Sequence, residues 1–369
     1  MKIVIIQGAF LPVPPVQGGA VEKIWYRMGK EFAALGHQVV HISKKHENLA
    51  SDEKVHDVHY VRVTGFKTPK SLIILKLLDF FYSFLAIQKI PKSADVIITN
   101  TFWAPLLLRG KLGKKVYVDV QRVPKGQMKF YTHVFRLRSN SLFVTNIIKK
   151  EIKHNYHHLI STIPNPLPIS EFAKISFLDK KRIILYVGRL HPEKGVHLLI
   201  QAYKQTNQQF RLKIVGSSEI AFGGGGSEYM TSLEECAKNL NIEFLGPIYD
   251  EDLLNKLYQA SAIFVYPSLA ETGETFGLAP LEAMSWGCVP IVSDLSCFKD
   301  FIKPEENGLS FNHRSDNAVT ELSIQIQRLQ DQPTLLSSMS NMALQVRDTH
   351  SIESITKQFL NDFQKSFYK

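Results

Sequence analysis

Two kinds of segment alternate along the whole chain, and that alternation limits its fold more than any other feature. Short runs rich in β-branched and aromatic residues are separated by stretches whose apolar residues recur every three or four positions. In the first half KIVIIQG, HQVVHIS, ADVIITN, KVYVDVQ and SLFVTN read as strands; in the second, RIILYVG, RLKIVG, IEFLG, AIFVYPS and VPIVSD. Glu22–Leu35 is typical of the helical segments between them. Strands that are apolar throughout, each followed by a helix, demand parallel sheets covered on both faces, of the doubly wound α/β type.

At 369 residues the chain exceeds one ordinary core, which predicts two domains. The break falls in Ile163–Ser170, IPNPLPIS, where three prolines in eight residues forbid regular structure. The expected division is 1–165 and 166–350, with 351–369 a terminal helix packing back toward the first domain. Two Rossmann-like domains place the natural ligand site in a cleft between them.

Charge divides along the same line. Residues 1–170 hold 25 Lys+Arg against 10 Asp+Glu, or +15, and the remainder holds 19 against 24, or −5. The basic half fits nucleic acid, an anionic membrane or a phosphorylated substrate. No aromatic-rich recognition motif is interleaved with the positive charge, which argues against nucleic acid. Ser71–Ile90 has 14 apolar residues in 20, but Lys76, Asp79 and Ser83 form a polar stripe that opposes spanning a membrane. It reads as a helix buried in the first domain or as one whose apolar face dips into a bilayer surface. The N-terminal MKIVIIQGAF reads as a first strand rather than a signal peptide, which predicts a cytoplasmic protein. Cys236, Cys288 and Cys297 lack metal-type spacing and read as buried thiols.

Three stretches carry chemistry. In VQGGAVE, Gly18 and Gly19 precede a helix and leave its N–H groups open to a phosphate, although a plain turn would look the same. In YVGRLHPEKGV a strand ends at Gly188, and Arg189 and Lys194 stand in the turn that follows, suited to clamp a diphosphate or simply to sit in solvent. In ETGETFGLAPLEAMSWG, Glu274 lies in a loop before a helix, Pro280 in its first turn, Glu282 on it, and Gly287 at its end. That layout suits two acceptors for hydroxyls flanking an anion, rather than an acid/base pair. Gly223–Gly226 reads as a flexible loop, either closing over a ligand or merely tolerated. Asp250 and Asp252 match a bare metal-type D-x-D string but open a helix, where acids serve as caps.

GRLHPEKG, followed some eighty residues later by PSLAETGETFGLAPLEAMSWG, resembles the donor site of retaining glycosyltransferases of GT-B fold. More narrowly it is similar to the sucrose-synthase-like and lipopolysaccharide-type transferases, glycosyl transferases group 1, and the likeness extends to Gly18–Gly19 and IPNP. It implies two Rossmann-like sheets facing across a cleft and transfer of a hexose from a nucleotide-diphosphate sugar, a UDP-hexose, without a metal cofactor. Arg189 and Lys194 would stabilise the leaving diphosphate, and Glu274 would accept from the donor sugar. Glu282 would take the ribose hydroxyls. The backbone of Phe276, Gly277 and Leu278 would hold sugar and phosphate, Gly19 would close on the diphosphate, and Ile248 would lie by the base. Many relatives carry a histidine after the strand equivalent to KVYVDV, where this chain has Gln121 and Arg122; Gln121 is the candidate sugar contact. A glycan or lipid-linked acceptor of cell-surface polysaccharide synthesis, reached at the inner face of the cell membrane, completes the expectation. The alternatives are a nucleotide-sugar epimerase on the same fold and a non-catalytic partner subunit.

Overall fold

The computed structural model describes residues 1–17, 19–69, 71–169 and 175–365. The chain divides into two units, Met1–Pro168 with His350–Lys369, and Ile169–Thr349.

Unit 1 begins β1 (Lys2–Ile6), α1 (Ala20–Ala34), β2 (Gln38–Lys44), β3 (Asp52–Val55), β4 (Val58–Val63), α2 (Leu72–Ile87) and β5 (Val96–Thr99). It continues α3 (Ala104–Leu107), α4 (Gly110–Gly113), β6 (Val116–Val120), β7 (Arg136–Ser139), α5 (Leu142–Glu151) and β8 (Ile160–Thr162). Its sheet runs β3-β4-β2-β1-β5-β6-β7-β8, parallel except for β3. β1 shows why the strands are apolar throughout: Val4 and Ile6 enter one buried cluster, Ile3 and Ile5 another. Successive side chains point to opposite faces, so both faces of the sheet are core.

Unit 2 comprises β9 (Lys181–Val187), α6 (Val196–Lys204), β10 (Arg211–Val215), α7 (Gly226–Cys236), β11 (Ile242–Gly246), α8 (Glu251–Ala260) and β12 (Ser261–Tyr266). It continues α9 (Leu278–Ser285), β13 (Val289–Ser293), β14 (Leu309–Phe311), α10 (Ala318–Asp331), α11 (Pro333–Ala343) and α12 (Val346–Thr349). Its sheet, β11-β10-β9-β12-β13-β14, is wholly parallel. The last helix, α13 (Ile352–Gln364), belongs to unit 1. Its Phe359 meets Trp25 of α1 edge to face at 5.3 Å. The IPNP segment has no regular structure but is buried from Pro166 to Ile169, and the Leu167 amide donates to the His350 carbonyl at 2.7 Å.

Several expectations are corrected. SLFVTN is the start of α5, not a strand; the strand is the preceding β7. Ser141 caps the helix, its Oγ accepting from the Val144 amide at 3.2 Å, while Val144 and Ile148 enter the core. Capping and burial thus override the β-preference of Phe-Val-Thr. β3 and β4, a hairpin turning through His56 and Asp57 at φ 49° and 59°, gave no clear alternation. Cys236 is exposed, and only Cys288 and Cys297 are buried. The Gly223–Gly226 loop is tied down: the amides of Gly224, Gly225 and Gly226 donate to the carbonyls of Glu219, Leu190 and Ser218. Asp250 caps α8 as expected, accepting from the Leu253 amide at 3.0 Å. The Ser71–Ile90 helix is not buried. Its Asp79, Tyr82, Ser83 and Ala86 face inward and most of its large apolar residues outward.

His41 on β2 is fully buried, stacks on Tyr60 with centroids 5.7 Å apart, and neither ring nitrogen has a protein partner. Burial, reinforced by the Arg62 guanidinium, depresses it to about 3. The unfolded chain therefore protonates His41 first. Its contribution to stability is present above the ordinary imidazole value and lost as pH falls through about 3. His41→Leu is expected to flatten the acid limb of unit 1 unfolding by about 1.4 kcal/mol per pH unit between roughly pH 6 and 4. Urea titrations across that range check it; an unchanged slope refutes the assignment.

Candidate functional site

Each sheet reverses its direction of winding once. In unit 2 the chain passes from β9 outward to β10 and β11, then returns to the other side of β9 with β12. Loops leaving the carboxyl ends of β9 and β12 therefore diverge, and the crevice between them is where open α/β sheets bind ligands. The β9 loop is Gly188–Gly195 and the β12 loop Pro267–Gly277. These are the two stretches that the motifs single out.

The reversal brings Lys194 and Glu274 together across 80 residues of sequence. The Lys194 ammonium donates to Glu274 Oε2 at 2.7 Å, and both side chains are largely buried, 7% and 12% exposed. Tyr266, the last residue of β12, donates its hydroxyl to the same oxygen at 3.1 Å, and its ring lies 5.7 Å from the Lys194 nitrogen. Burial, with the Glu274 carboxylate beside it, holds the Tyr266 hydroxyl well above its ordinary value. Tyr266 thus remains a neutral donor that helps to hold Glu274. Sequence reasoning missed it, since a tyrosine closing an apolar strand carries no signal of its partner.

Two glycines make the approach of the loops feasible. Gly195 turns the chain into α6 at φ 69°, where a side chain would run into the Pro267 carbonyl of the facing loop. Gly277 starts α9 at φ 93°, and a side chain there would strike the Phe298 ring. Both positions need a left-handed backbone without a Cβ.

Arg189 does not reach Lys194's partner. Its guanidinium donates to the Gly223 carbonyl at 2.7 Å and pairs with Glu193 Oε1 at 2.9 Å. Glu193, also unforeseen, accepts the Leu269 amide through its carbonyl at 2.7 Å, linking the two loops. Gly188 directly follows β9. Phe276 is buried against Phe301 at 5.3 Å, and Leu278 opens α9. Glu282, one turn into α9, accepts from the Tyr258 hydroxyl at 3.4 Å, away from the Lys194–Glu274 pair in its bonding. Ile248 lies half-buried in the loop after β11. Glu271, at the start of the acidic loop, is held by Arg314 at 2.6 Å and His313 at 3.0 Å. Those bonds lower the Glu271 carboxyl below its ordinary range. They anchor the loop that carries Glu274. A hollow of about 380 Å³ beyond β13, lined by Asp294, Phe298, Lys299 and Lys303, includes none of the expected site residues. Among the described residues no three His, Cys, Asp or Glu side chains converge as a metal cage would require.

In unit 1 the reversal lies between β1 and β5, so the loop after β1 is again the ligand-type position. Gly19 caps α1 there, at φ 101°; Gly18 lies outside the described residues. Glu22 of the first turn folds back against Gly19, and burial raises its carboxyl above the ordinary range. Gln121 follows β6 and is engaged at both ends of its amide. It donates to Asp119 at 2.9 Å and to Asn165 at 3.1 Å, and accepts from Asn165 at 3.0 Å and Asn140 at 3.3 Å. Asp119 is also bound by Trp25 at 2.6 Å and by Arg138 at 2.5 Å, with both members of that ion pair fully buried.

Residues 169–344 match the family Glycosyl transferases group 1. The lipopolysaccharide 1,2-N-acetylglucosaminetransferase of Salmonella typhimurium is 26% identical over 330 residues, 82% of each chain. Alignments to five other curated relatives, at up to 34% identity, span only 33% to 53% of those proteins' own lengths, whereas two at 22% and 24% identity span 82% and 85%. Among solved structures, sucrose-phosphate synthase from Thermosynechococcus elongatus superposes with a TM-score of 0.80 at 20% identity, covering 100% of this chain and 99% of that one. Anabaena HepE in complex with UDP gives 0.74 at 16% identity, over 99% and 100%. The structural likenesses establish the architecture, and the family match covers the unit that holds Lys194 and Glu274. The family match spans just under half of the chain, residues 169–344, and the two parallel-sheet units have the GT-B fold.

Proposed function

We propose that this protein transfers a hexose from a nucleotide-diphosphate sugar, with UDP as the nucleotide, to a glycan or lipid-linked acceptor in cell-surface polysaccharide synthesis. The observation that carries the reading is the buried Lys194–Glu274 pair at the winding reversal of unit 2. A leaving nucleoside diphosphate gains negative charge as the glycosyl bond breaks. A fixed ammonium in a site poor in water stabilises that charge with little reorganisation. Lys194 spends one of its three N–H bonds on Glu274 and keeps the others for phosphate oxygens. Arg189 supplies a second cation once it exchanges Glu193 or the Gly223 carbonyl for the diphosphate. Glu274, oriented by Lys194 and Tyr266, accepts from the sugar hydroxyls, and Glu282 from the ribose. With two cations and the N-terminus of α9 serving the diphosphate, we assign no divalent metal; retention at the anomeric carbon is assigned from the resemblance to retaining transferases alone.

The UDP assignment draws on the HepE complex, and the acceptor class on the lipopolysaccharide transferase of Salmonella typhimurium. The excess of basic charge in residues 1–170 supports an anionic membrane face as the setting for the acceptor. A thermal-shift screen with UDP-, GDP- and ADP-sugars tests the donor. A ligand bound only by the folded state at about a hundred times its Kd adds about 2.7 kcal/mol. UDP-sugars should therefore shift the melting temperature most. No shift with any of the three refutes the donor site; free UDP without glycosylated product identifies an epimerase instead.

A further inference from the structure

α2 is folded inside out. Its buried residues are Asp79, Tyr82, Ser83 and Ala86. Its exposed residues are the large apolar ones: Leu72 is 76% exposed, Ile73 74%, Leu77 54% and Phe81 56%, with Ile74 and Phe84 close behind. The helix is docked through its polar side. Asp79 accepts from the Phe102 amide at 3.3 Å, and Trp103 donates its indole N–H to the Lys76 carbonyl at 2.7 Å. Tyr82 and Ala86 enter the core beneath. These attachments hold the apolar face outward on a helix about 24 Å long. A contiguous apolar face of that kind marks a binding surface rather than scattered exposure.

Charge around the helix selects its occupant. Between residues 58 and 94 the sequence contains a single acid, Asp79, and five lysines. That acid is buried, whereas Lys67, Lys76, Lys89 and Lys92 are exposed. A second copy of the chain would set these lysines against their own equivalents in a two-fold contact, which is repulsive. An anionic bilayer offers apolar depth and negative charge together. No helix among the described residues is long and apolar enough to cross a membrane, so α2 would lie along the surface.

We propose that α2 rests on an anionic lipid bilayer, its Leu72, Ile73, Ile74, Leu77, Phe81 and Phe84 entering the headgroup–acyl boundary. The inference rests on the reading of an anionic membrane face given above and assigns that contact to one element. The full chain is sedimented with vesicles of phosphatidylcholine alone and of phosphatidylcholine mixed with phosphatidylglycerol, at low and high salt. Binding to the mixed vesicles, weakened by salt, is expected for the native chain. The triple variant L77Q/F81Q/F84Q should lose about tenfold or more of that affinity, since each residue gives up apolar burial at the interface. Lys67→Gln with Lys89→Gln should weaken binding only to the anionic vesicles. The apolar variant's unchanged melting temperature and unchanged shift with UDP-sugar would show that fold and donor site are intact. If it binds the mixed vesicles as tightly as the native chain, α2 is not the contact, although the membrane reading survives. If the native chain binds neither vesicle, both fall. If the native chain dimerises and the triple variant does not, α2 is a self-association surface and the proposal is overturned.

Discussion

Lys194→Ala should reduce donor turnover by roughly a thousandfold or more. Loss of one preorganised donor to a developing oxyanion costs about 3–4 kcal/mol, or two to three orders of magnitude. Here the lost group is a cation, and its removal also deprives Glu274 of the partner that orients it at 2.7 Å. Tyr266 alone would then hold the carboxylate, through a single 3.1 Å bond. The same substitution leaves a largely buried carboxylate without its counter-ion, so some loss of stability accompanies the loss of rate. Glu274→Gln separates the two effects. It keeps a hydrogen-bond acceptor for Lys194 and Tyr266 while removing the charge, so the fold should hold and turnover should still fall by about a hundredfold. Steady-state kcat/KM with quantified UDP release, alongside melting temperatures, makes the comparison. Either variant turning over within threefold of the native chain would remove the pair from the site.

Asp119→Ala should be the most damaging single change to the stability of unit 1, by about 3–5 kcal/mol. Its carboxylate neutralises Arg138 with both side chains fully buried, and it also accepts from Trp25 and Gln121. Truncation leaves a guanidinium in the interior with the Ile163 carbonyl, Asn165 and the Phe359 ring around it but no counter-charge among these. For a unit of this size each kcal/mol is about 2–4 °C, so the melting temperature of unit 1 should drop by roughly 10 °C. Replacing the pair together, as Asp119→Ala with Arg138→Met, should recover much of the loss, because no charge is then left unpaired. A single-variant shift below about 3 °C would show that water or a neighbouring group neutralises Arg138. The network also bears on Gln121. Its amide is already spent on Asp119, Asn140 and Asn165, so it orients the end of β6 before it can meet any sugar.

The site was readable in its parts and not in its pairing. GRLHPEKG announces a strand end followed by cations, and the glycines at 195 and 277 announce tight helix starts. Nothing local joins Lys194 to Glu274, because the join depends on β9 and β12 becoming neighbours. Arg189 illustrates the converse. As a sequence element it pairs naturally with Lys194, yet the fold turns it toward Glu193 and Gly223. SLFVTN failed for a local reason, since a serine cap and two core contacts outweighed the preference of β-branched residues for strands.

The face that α2 presents shows where sequence patterning stops. Periodicity located the helix and its narrow polar stripe, and ordinary amphipathic logic would have turned that stripe to water. Tertiary structure reversed it, because Asp79 finds the Phe102 amide and small or hydrogen-bonding side chains fit close packing against the sheet. By itself the sequence determined most of the strands, the glycine turns, the two-unit α/β architecture and the identity of the charged groups, since each depends on spacing or on backbone freedom within a few residues. Strand order, the pairing of Lys194 with Glu274 and the outward apolar face of α2 were decided only in three dimensions. They depend on which distant surfaces meet, and contacts across 80 residues leave no local periodicity to read.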